Sequence, residues 1–241
     1  MRAIGIVTAA VLLVASLAPA CAQPRQIIVM RHGEKTDGPD LCPTGQERAE
    51  ALVHQYLGKG AKDSLFGSDA PAAFYAITDH TVETIAPAAQ SWGLNVLRPS
   101  TDKSAFSDKD SLENQQTRDA VNDVLTNPAF NGKIVVMTWE HKRIANKKLE
   151  AANTDAVTLR QLLTLDGYDR HRKSIPKTWS GTNYDYFWIV DYADPASPEP
   201  TKVTIVKQMF APPYENLPSN DWEEPEPADQ VDANCVEKAL N

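Results

Sequence analysis

An apolar run, Ile27-Ile28-Val29-Met30, leads without a break into Arg31-His32-Gly33-Glu34-Lys35. A short run rich in β-branched residues and free of Gly and Pro predicts a buried strand. The chain then leaves that strand through a glycine, with a guanidinium and an imidazole side by side at the exit. In open α/β sheets, ligands bind outside the carboxyl ends of the strands. The sequence therefore puts a candidate nucleophile and a permanent positive charge where a small anion would dock.

The rest of the chain fits one domain of the layered α/β class. Its 241 residues are the length of a single decorated domain. Further strands are expected over 74–77, 95–97, 134–137, 186–190 and 203–209, and helices over 81–92, 112–125, 141–151 and 158–163. Strands alternating with helices point to a three-layer α/β/α sandwich with a mostly parallel sheet. The last two strands, joined by a short Pro-rich turn around Pro195 and Pro200, are expected as an antiparallel hairpin. Thr44-Gly45-Gln46-Glu47 has the capping-box pattern, so a helix is expected to follow with Ala49, Leu52, Val53 and Tyr56 on its buried face. Pro87 is expected to kink the helix over 81–92.

The two ends of the chain read differently. Met1-Arg2, an apolar stretch over 4–17 and the small residues Ala18-Pro19-Ala20-Cys21-Ala22 have the layout of a signal peptide over 1–22. The stretch is shorter than the ~20 apolar residues of a comfortable membrane span. The expected location is periplasmic or secreted, with no integral membrane span. Lipid attachment at Cys21 is the lesser alternative, because Leu17 lies four residues back rather than three. The domain is expected over 23–211 and an acidic, Pro-rich tail over 212–241, in which Glu223-Glu224-Pro225-Glu226-Pro227 is expected to be solvated. A formal net charge of −8 argues against nucleic acid as a partner. In an oxidising compartment Cys42 and Cys235 are expected to pair, which would tie the tail near the first helix; two unpaired, buried cysteines are the equal alternative.

The Arg31-His32-Gly33 motif at the end of a first strand resembles the signature of the histidine phosphatase superfamily, also called phosphoglycerate-mutase-like. Leu41-Cys42-Pro43-Thr44-Gly45-Gln46-Glu47-Arg48-Ala49 resembles the segment that follows it. Ala73-Phe74-Tyr75-Ala76 with Glu83-Thr84-Ile85-Ala86-Pro87 resembles the middle strand and helix. Lys133-Ile134-Val135-Val136-Met137-Thr138-Trp139-Glu140-His141 resembles the later strand that ends in a second histidine. The matches run in family order over 27–188. The resemblance implies a phosphatase acting on a small phosphorylated substrate, with His32 as phosphoryl acceptor and a phosphohistidine intermediate. It further implies Arg31 on the phosphate oxygens and His141 donating to the transferring group, with no cofactor and no metal. Neutral imidazole suits such a role at neutral pH.

The sequence departs from that pattern at two points. Where the family usually has a second arginine, four residues before Thr84, this chain has His80. Asp79 beside it would favour the protonated ring, and His80 is expected to grip phosphate in the arginine's place. The proton donor is not fixed either, since Lys142 follows His141 where one branch has an acid. Glu140 is the first candidate, with Asp102, Glu113 and Glu34 as others. A residue next to a strand histidine points to the opposite face, so Glu140 qualifies only if the strand has ended. Lys35 is a further candidate cation for phosphate, with a solvated loop lysine as the plainer reading. Glu47 and Arg48 read as structural. There is no Walker loop, no Gly-x-Gly-x-x-Gly and no His-Glu-x-x-His. The alternative function is a member of the same family that binds a phosphate ligand but has lost turnover.

Overall fold

The computed structural model describes residues 23–169, 175–193, 197–222 and 235; the expected signal peptide, Cys21 and the acidic run over 223–227 lie outside them. β1 (Gln26–Arg31), β2 (Pro71–Ala76), β3 (Val96–Leu97), β4 (Ile134–Trp139), β5 (Tyr186–Asp191) and β6 (Lys202–Lys207) form one sheet in the order β3-β2-β4-β1-β5-β6. The helices are α1 (Pro43–Leu52), α2 (Asp79–Ser91), α3 (Lys109–Thr126), α4 (His141–Ile144), α5 (Lys147–Ala152), α6 (Leu159–Leu162) and α7 (Leu165–Asp169).

β1 is central, and every side chain from Ile27 to Met30 is fully buried. Ile27 and Val29 pack with Ala120, Val121 and Val124 of α3 on one face. Ile28 and Met30 pack with Leu52 of α1 and with Ile85, Ala88 and Ala89 of α2 on the other. Helices thus cover both faces, which makes three layers. A strand buried on both sides has no polar face, which is why its sequence is continuously apolar rather than alternating.

The sheet is mixed, which corrects the expectation of a mostly parallel one. β1–β4, β2–β4 and β2–β3 are parallel, whereas β1–β5 and β5–β6 are antiparallel. The link from Asp191 to Lys202 is too short for a helical crossover, which takes about a dozen residues or more. The reversal of β5 has a consequence for the site. Phe187 pairs with Met30, so the segment entering β5 lies beside the carboxyl end of β1.

Two local expectations are also corrected. α1 begins at Pro43, with Cys42 rather than Thr44 at the N-cap and no side-chain cap bond there. Proline suits the first helical position because its φ is preset and its missing N–H is not needed. The helix expected over 141–151 is two helices, broken at Ala145 and Asn146. Asn146 starts α5 by accepting from the Leu149 N–H at 2.9 Å. The first part of the expected tail packs on the domain: Leu217 and Asn220 are buried, and the Trp222 ring meets that of Trp179 edge to face, with centroids 5.0 Å apart. Cys42 and Cys235 are joined by a disulfide, with Cα atoms 5.4 Å apart.

Candidate active site

The site is built at the carboxyl ends of β1 and β4, which lie side by side with Arg31 opposite Trp139. Strand β4 ends at Trp139, and Glu140 is the N-cap residue of α4. The condition that would let Glu140 face the same side as its neighbour is therefore met. One donor atom each of His32, Glu140 and His141 lie within 4.8 Å of one another.

His32 is buried, and its Nδ1 lies 2.6 Å from the Gly33 carbonyl oxygen. A carbonyl only accepts, so Nδ1 carries the proton and the neutral ring has its lone pair at Nε2. That Nε2 lies 3.4 Å from Glu140 Oε2. Burial pushes the His32 imidazole from 6.5 down to about 4; Glu140 opposes the shift, and the charges of Arg31 and His80 add to it. His141 is held well below the usual histidine range by burial and then by Arg31 and His32. Burial alone would raise the Glu140 carboxyl, but the imidazoles of His32 and His80 outweigh it and hold Glu140 well below the ordinary carboxylate range.

His80 enters from α2. Its ring meets that of His32 edge to face, with centroids 4.4 Å apart. Its Nε2 lies 2.5 Å from Glu140 Oε1, and its Nδ1 lies 3.1 Å from the Pro39 carbonyl oxygen. Both ring nitrogens face acceptors, a pattern that a protonated ring satisfies. The carboxylate beside His80 is thus Glu140, while Asp79, expected to fill that place, pairs with Arg98 at 2.6 Å. The Thr78 hydroxyl donates to the same Glu140 oxygen at 2.9 Å.

Arg31 is buried and its guanidinium carbon lies 3.8 Å over the Tyr184 ring. Its Nη1 donates to the carbonyls of Gly181, Asn183 at 3.2 Å and Ser180 at 3.4 Å. One arm of the fork is thereby committed to the segment leading into β5. Lys35 pairs its backbone with Leu41 in a short bridge. Among the described residues no hydrogen bond or ion pair joins its side chain to the histidine cluster.

The remaining acid candidates have other partners. Both Glu34 oxygens accept from Arg48 Nε, at 3.1 and 2.9 Å, and Arg48 Nη1 donates to Asp185 at 3.1 Å. Asp102 is an exposed cap that accepts from the Ser104 N–H at 3.0 Å. Glu113 is buried on α3, 3.3 Å from Lys109 Nζ and 3.6 Å from Arg143 Nη2. Burial and then the charge of Glu140 push its carboxyl up.

Close backbone approach fixes the strand exit. A Cβ on Gly45 would stand 1.9 Å from the Glu34 carbonyl oxygen, and one on Gly33 would stand 3.0 Å from the Gly45 oxygen. The Gly33 N–H donates to the Thr84 hydroxyl at 2.9 Å, which in turn donates to the His80 carbonyl at 2.7 Å. These bonds register α2 on the His32 turn, and the glycine approach registers α1. Sequence reasoning did not find Tyr184, Thr78 or Asp185 as neighbours of the site. Their local pattern is that of any loop or cap, and only the reversal of β5 brings Tyr184 and Asp185 to this edge.

No family model and no curated protein matches the chain. A crystal structure from Agrobacterium tumefaciens, described as a proposed phosphohistidine phosphatase SixA, aligns with 75% of this chain and 97% of its own at 10% identity and a TM-score of 0.34. A score that low does not establish a shared fold, and the functional reading rests on the residues themselves.

Proposed function

We propose that this chain is an exported phosphatase that transfers a phosphoryl group from a small phosphomonoester to His32 and then to water. The observation that carries the reading is a buried imidazole whose Nδ1 proton is committed to a carbonyl. Its Nε2 is left facing a carboxylate and a second histidine at the end of two parallel strands. In the first step Nε2 bonds to phosphorus as the ester P–O bond breaks, and the leaving oxygen takes a proton from Glu140. A bound phosphate would raise the Glu140 carboxyl by like-charge repulsion, and a substrate monoanion brings the proton it needs. In the second step water bonds to phosphorus, Glu140 takes the water proton and the N–P bond breaks. The products are an alcohol and inorganic phosphate.

Arg31 and His80 supply positive charge, and Arg31 and the neutral His141 supply N–H donors, to the phosphoryl oxygens. His80 does so largely through charge, because both its nitrogens have protein partners. The N-terminal layout and the paired cysteines support export to the periplasm or medium. The second reading, a binder without turnover, draws on the commitment of Arg31 Nη1 and His80 to protein acceptors. Hydrolysis of a chromogenic phosphomonoester, followed from acidic to neutral pH in chelator, separates the two. Wild type is expected to release phosphate while His32→Ala does not; binding of phosphate without release favours the second reading. Glu140→Gln is expected to cost about 100-fold or more in turnover, within the usual range for a proton-transfer group, with Glu113→Gln near wild type. The reverse ranking moves the proton donor to α3.

A further inference from the structure

We propose that His32, Glu140 and His141 together bind a divalent transition ion, with Zn2+ as the probe, and that the ion inhibits the phosphatase by occupying the nucleophile's lone pair. The inhibitory half rests on the phosphatase reading; the binding half rests on donor geometry alone.

Two imidazoles and one carboxylate are a donor set suited to zinc, copper or nickel, whereas Mg2+ and Ca2+ favour oxygen ligands. His32 Nδ1 donates to a backbone carbonyl, the outer contact that metal-bound histidines usually make. Its Nε2 is buried and has no hydrogen-bond partner among the described residues, and the same holds for Nδ1 of His141. Glu140 Oε2 stands 3.4 Å from His32 Nε2. A tetrahedral ion with bonds of about 2.0–2.1 Å spaces adjacent donors by roughly 3.4 Å, so this edge of the site is already set. The other Glu140 oxygen is held by the Thr78 hydroxyl at 2.9 Å and by His80 at 2.5 Å. That second layer aims Oε2 at His32. Three protein ligands leave a fourth position for water or for a phosphate oxygen.

Calorimetric titration of the chelator-stripped, untagged full chain with ZnCl2 at neutral pH tests the binding. One ion per chain is expected. His32→Ala and His141→Ala should each weaken binding about tenfold or more, at least the cost of losing an outer-layer partner. Glu140→Gln, which keeps the side chain's shape, should weaken it as well. His54→Ala should not, because His54 stacks on Tyr214 away from the cluster. Circular dichroism of each variant checks that it is folded. Absence of binding, or equal binding by wild type and Glu140→Gln, overturns the site. The companion assay keeps the two proposals apart. Hydrolysis that is fastest in chelator and falls as Zn2+ saturates supports the inhibitory role. Hydrolysis that appears only with Zn2+ overturns that role and the phosphohistidine reading, while the calorimetric result still decides the site.

Discussion

His32 is buried as a neutral ring, and its environment sets two pH dependences. The nucleophile is available while Nε2 is unprotonated, so kcat/KM is expected to hold from neutral pH into mild acid and to fall with a midpoint near 4. A pH–rate profile checks this; an acid limb centred near the ordinary value of 6.5 contradicts it. Stability follows the same proton. The folded value of about 4 lies below the unfolded value of 6.5, so the unfolded chain binds more protons between them. Stability is expected to fall by about 3 kcal/mol as pH drops through that window and to be insensitive to His32 above it. Urea melts across that range read the slope. Glu140, held well below the carboxylate range, adds its own loss as pH falls below the ordinary value of 4.5, where the unfolded chain takes up the proton before the folded one. His80→Ala removes the ring that holds Glu140 Oε1. It should lower turnover more than tenfold and alter the pH profile, the mark of a positioning role in proton transfer. Unchanged phosphate-ester affinity and turnover would show that His80 has no part in the site. At this scale Arg31, His32 and His141 were legible because each stands at the end of an apolar run. The partner of His80 was not, because Asp79 is adjacent in sequence but Glu140 is adjacent in space.

The loop after β1 and the start of α1 touch through glycine backbone, and that contact positions the nucleophile. Gly45→Ala would put a methyl group 1.9 Å from the Glu34 carbonyl oxygen, an overlap that only backbone movement relieves. The variant is expected to lose on the order of 2 kcal/mol or more in denaturant melts, with turnover reduced even where it remains folded. Wild-type stability would show that the loop gives way easily. The elements around this contact were readable to differing degrees. β1 and β4 are built on uninterrupted apolar runs, over 27–30 and 134–137, and hold their expected places. The helix expected over 141–151 fails at Asn146, whose side chain caps a new turn as readily as it continues an old one. Thr44 and Glu47 match a capping box, yet Pro43 one position earlier starts the helix first.

Across the whole molecule, one buried ion network ties the site loop to the C-terminal part of the chain. Arg48 bonds Glu34 and Asp185 and donates to the Pro218 carbonyl at 2.8 Å, and Asp185 accepts from the Asn220 N–H at 2.6 Å. Arg48→Ala leaves two buried carboxylates without their cation and is expected to cost about 3–5 kcal/mol, measured by urea melt. The disulfide between Cys42 and Cys235 closes a sequence separation of 193 residues, and its reduction is expected to cost about 2–4 kcal/mol. Alkylation of both cysteines without reductant would contradict the bond. The layered architecture was legible in the alternation of strands and helices. The mixed sheet was legible only in its β5–β6 hairpin, because the direction of β5 depends on where a long connection returns to the sheet. The packing of Trp222 was hidden for a similar reason: a Pro- and acid-rich composition masks a single aromatic anchor.

The central claim is that His32 Nε2 accepts a phosphoryl group. Rapid quenching in alkali during turnover, followed by peptide mass spectrometry, tests it most directly. A single acid-labile phosphoryl group on the peptide carrying His32, absent from His32→Ala, is the predicted result. Turnover with no phosphorylated histidine, or with the phosphoryl group on another residue, would contradict it.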